Sequence, residues 1–339
     1  MRKKAIVRLA LCGWVGLLHL FMGFADGVCA VGKTYQIGIV LPGDTWASSV
    51  EGLKDGMIKL GYTEGKEIVY RIDNAKGAKA RVVEATKKFV GEKVDVIYTI
   101  TNTALKEVAQ ITRPSMWPVV FGSASGPVES GIVPSYASRD THITGVTSGS
   151  IELVAKRLEI LKELLPRTKR IALIGDIDSD SSAAAFVVAG KIAPKLALQL
   201  LELKAKSGPH AVELAKKITS READALFVIP SLYAVGAIAD IAQNAKAARL
   251  PFAVYQVEHV KTNGALFSYG SSYYLQGKQA ALLVDKILKG TAVNQLPIET
   301  PQLHELILNL DTAKEIGVKF PLEMINRADE VIGEVGKRP

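Results

Sequence analysis

The chain of 339 residues is 48% hydrophobic and 22% charged, with a net charge of +8. Its length predicts about two domains, since domains typically hold ~100–200 residues. The basic residues occur singly or in pairs mixed with Glu, as at Lys87-Lys88, Lys169-Arg170 and Lys216-Lys217, which is typical of solvated helix faces. This pattern argues against nucleic-acid binding, because that function needs a continuous basic surface.

Residues 1–30 have the pattern of an export signal. A basic start, Arg2–Arg8, precedes the apolar run Leu9–Phe24, and Val28-Cys29-Ala30 supplies the small residues that a signal peptidase reads. A membrane anchor is the weaker alternative, because the run is shorter than the ~20 residues needed to span a bilayer. A lipid on Cys29 is another alternative, but Asp26 and Val28 do not fit a lipobox. We predict cleavage after Ala30 and a periplasmic protein of a Gram-negative bacterium.

Strand and helix signals alternate through the rest of the chain, as an α/β fold requires. Strands are predicted at 35–41, 67–72, 94–100, 118–122, 170–175, 198–204, 224–229 and 252–255. Helices are predicted at 48–60, 79–91, 103–112, 150–164, 182–191, 211–220, 234–247, 273–289, 312–317 and 322–332. Segments 143–147, 265–269 and 303–310 are interpreted as passages between two lobes.

The second half of the chain repeats a helix–strand unit of the first half at a constant spacing. Val83-Glu84, Lys87-Lys88 and Asp95 have counterparts in Val212-Glu213, Lys216-Lys217 and Asp224. Chance reuse of a common α/β unit is the alternative to a true repeat. The repeat predicts two similar lobes, 31–147 plus about 268–300 and 148–267 plus about 301–339. A ligand cleft is expected between them at the carboxyl ends of parallel strands.

Hydroxyl-rich loops directly follow the predicted strands. Ser and Thr at helix starts satisfy free N–H groups, and the same helix ends attract anionic groups of a ligand. Plain helix capping is the alternative for each loop, and Trp46 could stack on a ligand or simply pack between lobes. The candidate ligand-binding residues are Asp44, Trp46, Thr101, Asn102, Thr103, Ser123, Ser125, Asp176, Ser181, Ser182, Ser231, Tyr255 and Ser271.

Catalytic and metal-binding patterns are incomplete in this chain. Asp176, Asp178 and Asp180 open like a calcium loop, but the glycine and the final acid that such a loop needs are Ser181 and Val187. Both cysteines, Cys12 and Cys29, lie in the predicted leader, so no disulfide or zinc–thiolate site is expected. The remaining histidines have no paired spacing: His142, His210, His259 and His304. We predict no enzyme activity, no metal and no cofactor.

Further segments resemble a known bacterial family. The ordered set comprises Gly61-Tyr62, Glu64-Gly65-Lys66, Pro118–Phe121, Ile143–Gly145, Gly264–Gly270, Val284–Gly290, Asn309-Leu310, Ala313-Lys314, Gly317 and Arg327–Ile332. It is similar to substrate-binding proteins of ABC transporters, whose characterised members include tryptophan- and tyrosine-binding proteins. The resemblance implies a type I periplasmic-binding-protein fold of two Rossmann-like lobes with three hinge crossings. It also implies a monomer that captures a small solute by lobe closure and delivers it to a membrane permease with its ATPase.

Two departures from the family pattern concern the ligand. Gly126 stands where the family has Asp before Pro127-Val128, and Pro230–Leu232 replaces a turn that contains Asp. Two carboxylates suited to a ligand ammonium are therefore missing, which leaves an amino-acid-like solute and a less cationic polar solute both open. A periplasmic sensor and a secreted hydrolase remain alternative functions. The hydrolase would need His142 or His259 beside a Ser or Thr in the cleft.

Overall fold

Two sheets flanked by helices form the structure, a computed structural model that describes residues 33–137 and 141–334. The predicted signal peptide lies outside the described residues. The strands are β1 Tyr35–Leu41, β2 Ile68–Asn74, β3 Val96–Ile100, β4 Val119–Ala124, β5 Ile143–Thr147, β6 Arg170–Asp176, β7 Gln199–Ala205, β8 Ala225–Val228, β9 Phe252–Val254, β10 Phe267–Gly270, β11 Glu305–Asn309 and β12 Glu330–Ile332. The α-helices are α1 Ala47–Lys59, α2 Lys79–Gly91, α3 Asn102–Thr112, α4 Val154–Leu164, α5 Asp180–Ile192, α6 Gly208–Lys216, α7 Leu232–Gly236, α8 Ile238–Ala247, α9 Glu258–Asn263, α10 Tyr273–Leu288, α11 Leu310–Ile316 and α12 Leu322–Arg327.

The first sheet is parallel throughout, in the order β2-β1-β3-β4-β5, and with α1, α2, α3 and α10 it forms the first lobe. The second sheet runs β12-β11-β10-β9-β8-β6-β7, and only its β10–β11 pair is antiparallel. With the remaining helices it forms the second lobe. Strands β3 and β8 are buried along their whole length, because helices cover both faces of each sheet. The predicted α/β class with two Rossmann-like lobes is confirmed.

The repeated aspartates occupy equivalent places in the two lobes. Asp95 precedes β3 and accepts the backbone N–H of Gln36 in β1 at 2.8 Å. Asp224 precedes β8 and accepts the N–H of Arg170 in β6 at 2.9 Å. Each carboxylate therefore ties the start of one central strand to its neighbour. A shared structural role explains why this pair of residues recurs in both halves.

A buried arginine joins the loop after β5 to the end of β10. The Arg157 guanidinium donates from Nε to the Tyr269 carbonyl and from Nη1 to the Ser150 carbonyl, both at 2.6 Å. Burial lowers the pKa of Arg157 to about 9. The His304 ring, just before β11, stacks on the Tyr269 ring with centroids 5.8 Å apart. The loop after β5, the end of β10 and the segment before β11 therefore meet around one cluster of side chains.

Several element boundaries differ from the expectations. Helix α4 starts at Val154, because the Ser150 hydroxyl bonds Ser148 instead of capping the helix. The segment 265–269 contributes β10 to the second sheet, so the chain returns to the first lobe only after Gly270. The predicted helix 234–247 is two helices that meet at Ala237. The predicted helix 322–332 ends at Arg327, and the residues after it form the strand β12. Helix α9 was missed.

Within the described residues, no helix combines the length and apolarity that crossing a membrane requires.

Candidate ligand-binding site

A cavity of ≈ 450 Å³ lies between the carboxyl edges of the two sheets. This volume is in the usual range for small-molecule sites, and both lobes contribute to its wall. Parallel strands bring the loops that follow them to one edge, which explains why residues distant in sequence meet here. The predicted ligand residues that line the cavity are Trp46, Thr101, Asn102, Thr103, Ser123, Ser125, Asp176, Ser181, Ser231 and Tyr255.

Three predicted ligand residues lie elsewhere. Asp44 is exposed and its Oδ1 accepts the Asn74 side-chain amide at 2.6 Å. The Ser182 hydroxyl is buried under the cavity wall, where it donates to the Pro230 carbonyl and accepts the Asp176 N–H. Ser271 lines a separate cavity of ≈ 230 Å³ beside α1 and α10. Asp44 and Ser182 are therefore hydrogen-bonded within their own lobes, and Ser271 faces a different cavity.

The first-lobe wall is built on the start of α3. Thr101 adopts a φ of +73°, and Ser123 a φ of +57°, both left-handed conformations that are uncommon for residues other than glycine. Such strain is concentrated at functional sites. The Asn102 side-chain amide donates to the Ser125 carbonyl at 2.6 Å and to the Ser130 hydroxyl at 2.9 Å. Its Oδ1 is buried and has no partner among the described residues, so it could accept a hydrogen bond from a donor group of a ligand.

The second-lobe wall is organised by Asp176. Its carboxylate accepts the Ser231 hydroxyl and the backbone N–H groups of Leu232, at 2.7 Å, and Tyr233, at 3.3 Å. Burial raises the pKa of Asp176, and these donors act in the opposite direction. Asp176 thus holds the start of α7 in place, and its carboxylate oxygens are already hydrogen-bonded within the second lobe. Asp178, next along the loop, accepts the Tyr233 hydroxyl at 3.0 Å.

Charges of opposite sign stand on the two sides of the cavity. Lys79 and Lys106 lie on the first-lobe side, and the Lys79 ammonium pairs with the buried Glu107 carboxylate at 2.8 Å. Asp178 and Asp180 lie exposed on the second-lobe side. Sequence reasoning missed these lysines because it considered only the loops directly after strands. The helical spacing of Thr103, Lys106, Glu107 and Gln110 puts all four on one face of α3, and this signal could have found Lys106.

Aromatic side chains form a further part of the wall. The Trp46 and Tyr273 rings lie 6.5 Å apart between centroids, with their planes tilted by 53°. Tyr273 and Gln256 were not among the candidate residues, although the loops 255–258 and 269–274 that contain them were expected at the cleft, and both line the cavity. The Tyr273 hydroxyl and Gln256 Oε1 are buried without a partner among the described residues. A ligand with polar groups could satisfy these atoms while its apolar part contacts the rings.

A serine hydroxyl of the second lobe bonds directly to the first lobe at this cavity. The Ser181 hydroxyl at the start of α5 donates to the Ser125 carbonyl after β4 at 2.8 Å. The same carbonyl accepts the Asn102 amide, so it is shared between an intralobe and an interlobe donor. The contact links the relative position of the lobes to the side chains that line the site.

The geometry required of a hydrolase is not found in the described part of the cavity wall, which contains no histidine. His142 Nε2 lies 2.8 Å from the Thr112 hydroxyl, but both residues are buried at the far end of α3. His259 Nδ1 is bonded to the Asn263 side chain at 2.9 Å. The histidines that could have served as a general base therefore have structural partners away from the cavity.

Comparison with known proteins decides the family. The model of the ABC transporter substrate binding protein family matches residues 36–332. This chain belongs to that family. It is 26% identical over 275 residues to a tyrosine-binding protein of Clostridioides difficile (strain R20291), covering 80% of this chain and 78% of that protein. The family and this relative are binding proteins.

Solved structures show the same fold. A conserved domain protein from Vibrio cholerae has 24% identity and a TM-score of 0.79 over 88% of this chain and 100% of that chain. An ABC domain in complex with L-Trp from Streptococcus pneumoniae has 19% identity and a TM-score of 0.79, with the same coverage. The likeness confirms the predicted two-lobed architecture.

Proposed function

We propose that the protein captures a small solute in the cavity between its lobes and delivers it to the permease and ATPase of an ABC importer. Family membership carries this proposal, and the position of the cavity at the carboxyl edges of both sheets supports it. Within the proposal the protein acts as a monomer in the periplasm after loss of residues 1–30. Closure of the lobes on the solute supplies the contacts that distinguish the loaded state from the empty one.

The solute that fits the cavity best is amino-acid-like. Lys106 on one side suits a carboxylate, and Asp178 and Asp180 on the other suit an ammonium group, so the site favours a zwitterion. The rings of Trp46 and Tyr273 offer a surface for an aromatic side chain. In this proposal Asp178 and Asp180 take the place of the carboxylates that are missing at Gly126 and in the Pro230–Leu232 turn. The tyrosine-binding relative and the L-Trp complex agree with this class of solute.

A thermal-shift screen of the purified protein tests the solute class. We expect stabilisation by an aromatic L-amino acid, which at 100 times its Kd adds ~2.7 kcal/mol to the free energy of unfolding. Lys106→Gln and Asp178→Asn should each weaken binding, because each removes a charge that faces the solute. Asp44→Asn is the matched control, since Asp44 is bonded to Asn74 outside the cavity. Equal stabilisation by uncharged polyols would contradict a zwitterionic solute.

The importer role needs a test in cells. Deletion of the gene should abolish uptake of the labelled solute, and the wild-type gene should restore it. The Lys106→Gln variant should restore uptake only at a higher solute concentration. Loss of a chemotactic or transcriptional response with uptake intact would instead support a periplasmic sensor.

A further inference from the structure

Glu258 links the two lobes beside the solute cavity. It is the first residue of α9 in the second lobe, and its Oε1 accepts the backbone N–H of Tyr273 at 2.6 Å. Tyr273 is the first residue of α10, which packs in the first lobe directly after the passage through Ser271 and Ser272. The carboxylate therefore fixes the first turn of α10 from the opposite lobe.

The second oxygen of Glu258 is in an unusual state. The residue as a whole is half-buried, but Oε2 is inaccessible to solvent and accepts no hydrogen bond from the described residues. Desolvation by burial raises the pKa of Glu258 to about 7. The hydrogen bond from the Tyr273 N–H lowers this pKa. Of the charged neighbours, Lys261 also lowers it and Glu305 raises it further. Tyr255 and Tyr273 also interact electrostatically with this carboxyl.

The residue that Glu258 holds is part of the cavity wall. Tyr273 is almost completely buried, and its ring faces Trp46 at 6.5 Å. The hydroxyl of Ser272 caps the same turn by accepting the Leu275 N–H at 3.3 Å, so Glu258 and Ser272 together set where α10 begins. An ionised acceptor forms a stronger hydrogen bond than a neutral one, roughly twofold in strength. Protonation of Glu258 thus weakens the contact that places the Tyr273 ring.

We propose that Glu258 is a positioning residue of the solute site, which holds Tyr273 against the second lobe when ionised and loosens it when protonated. The inference rests on the proposed function, because it assigns proton-dependent control to the same cavity. Solute is held more tightly above neutral pH and is released more readily below it.

The position of Tyr273 can be followed without any solute. In the full chain with Trp14→Phe and Trp117→Phe, Trp46 is the only tryptophan, and its emission reports its contact with Tyr273. Between pH 5 and 9 we expect one transition, with a midpoint near 7. Glu258→Gln should abolish the transition, because a neutral amide has no charge to lose in this range. The same transition in Glu258→Gln, or none in the parent chain, would overturn the proposal.

Glu305→Gln provides a matched variant that keeps the titrating group. Since Glu305 raises the pKa of Glu258, its removal should retain the transition but move the midpoint to lower pH. An unchanged midpoint would also overturn the proposal, and this result does not depend on the folding of Glu258→Gln.

A second measurement uses L-tyrosine as the probe. Its Kd should be roughly fivefold weaker at pH 5.5 than at pH 8.5 in the parent chain, the effect of one hydrogen bond, and independent of pH in Glu258→Gln. Failure of L-tyrosine to bind at any pH would count against the proposed solute class alone, since the fluorescence titration still decides the role of Glu258. Binding with no pH dependence would overturn the proposed role.

Discussion

Removing the Ser181 hydroxyl should shift the lobes toward an open arrangement. The hydroxyl donates to the Ser125 carbonyl across the cavity, and a protein hydrogen bond contributes a net ~0.5–1.5 kcal/mol. In Ser181→Ala the carbonyl keeps the Asn102 amide as a donor at 2.6 Å, so no buried acceptor is left unpaired. The loss should therefore lie at the low end, about 0.5–1 kcal/mol. This corresponds to roughly a two- to fivefold change in the ratio of open to closed molecules.

Small-angle scattering of the solute-free protein measures this shift as a larger radius of gyration, and a solute titration measures the matching loss of affinity. Ser130→Ala is the control, because its hydroxyl also lines the cavity but bonds within the first lobe, where it donates to the Gly126 carbonyl and accepts the Asn102 amide, both at 2.9 Å. We expect the scattering of Ser130→Ala to match the parent. If both variants opened equally, or if Ser181→Ala did not open, the interlobe bond would have no role in closure.

Other predictions concern the tryptophans, the hinge and export. Solute should change the fluorescence of Trp117→Phe but not of Trp46→Phe, because the Trp117 indole is bonded to the Val94 carbonyl within the first lobe, whereas Trp46 lines the cavity. A signal that followed Trp117 would place the solute elsewhere. Arg157→Met should lower the free energy of unfolding by about 2–4 kcal/mol in urea titrations, since two carbonyls lose their donor. A loss below ~1 kcal/mol would show that water replaces the guanidinium. Intact mass of exported protein should give an N-terminus at Val31, and an acylated species would contradict cleavage after Ala30.

Local sequence pattern was sufficient for most of the strands and helices. Strand β1 and helix α2 have the predicted limits, because a buried parallel strand needs a continuous apolar run and an amphipathic helix needs a regular apolar spacing. Both signals are read within a short window of residues. The loops that line the cavity were also predictable, since the carboxyl ends of parallel strands share one edge of a sheet. Thr101, Ser125 and Ser231 reached the cavity wall for that reason.

Only the tertiary structure decided which polar groups remain available to a solute. The Asp176 carboxylate is taken by the start of α7, and the Ser182 hydroxyl by the Pro230 carbonyl, and both partners lie far along the chain. The same limit applies to β10, whose neighbours in the second sheet could not be read from its own residues. Tyr273 joins the wall because the chain crosses back to the first lobe just before it. Secondary structure follows from local spacing, whereas a binding site depends on contacts between residues that only the packing of the whole chain brings together.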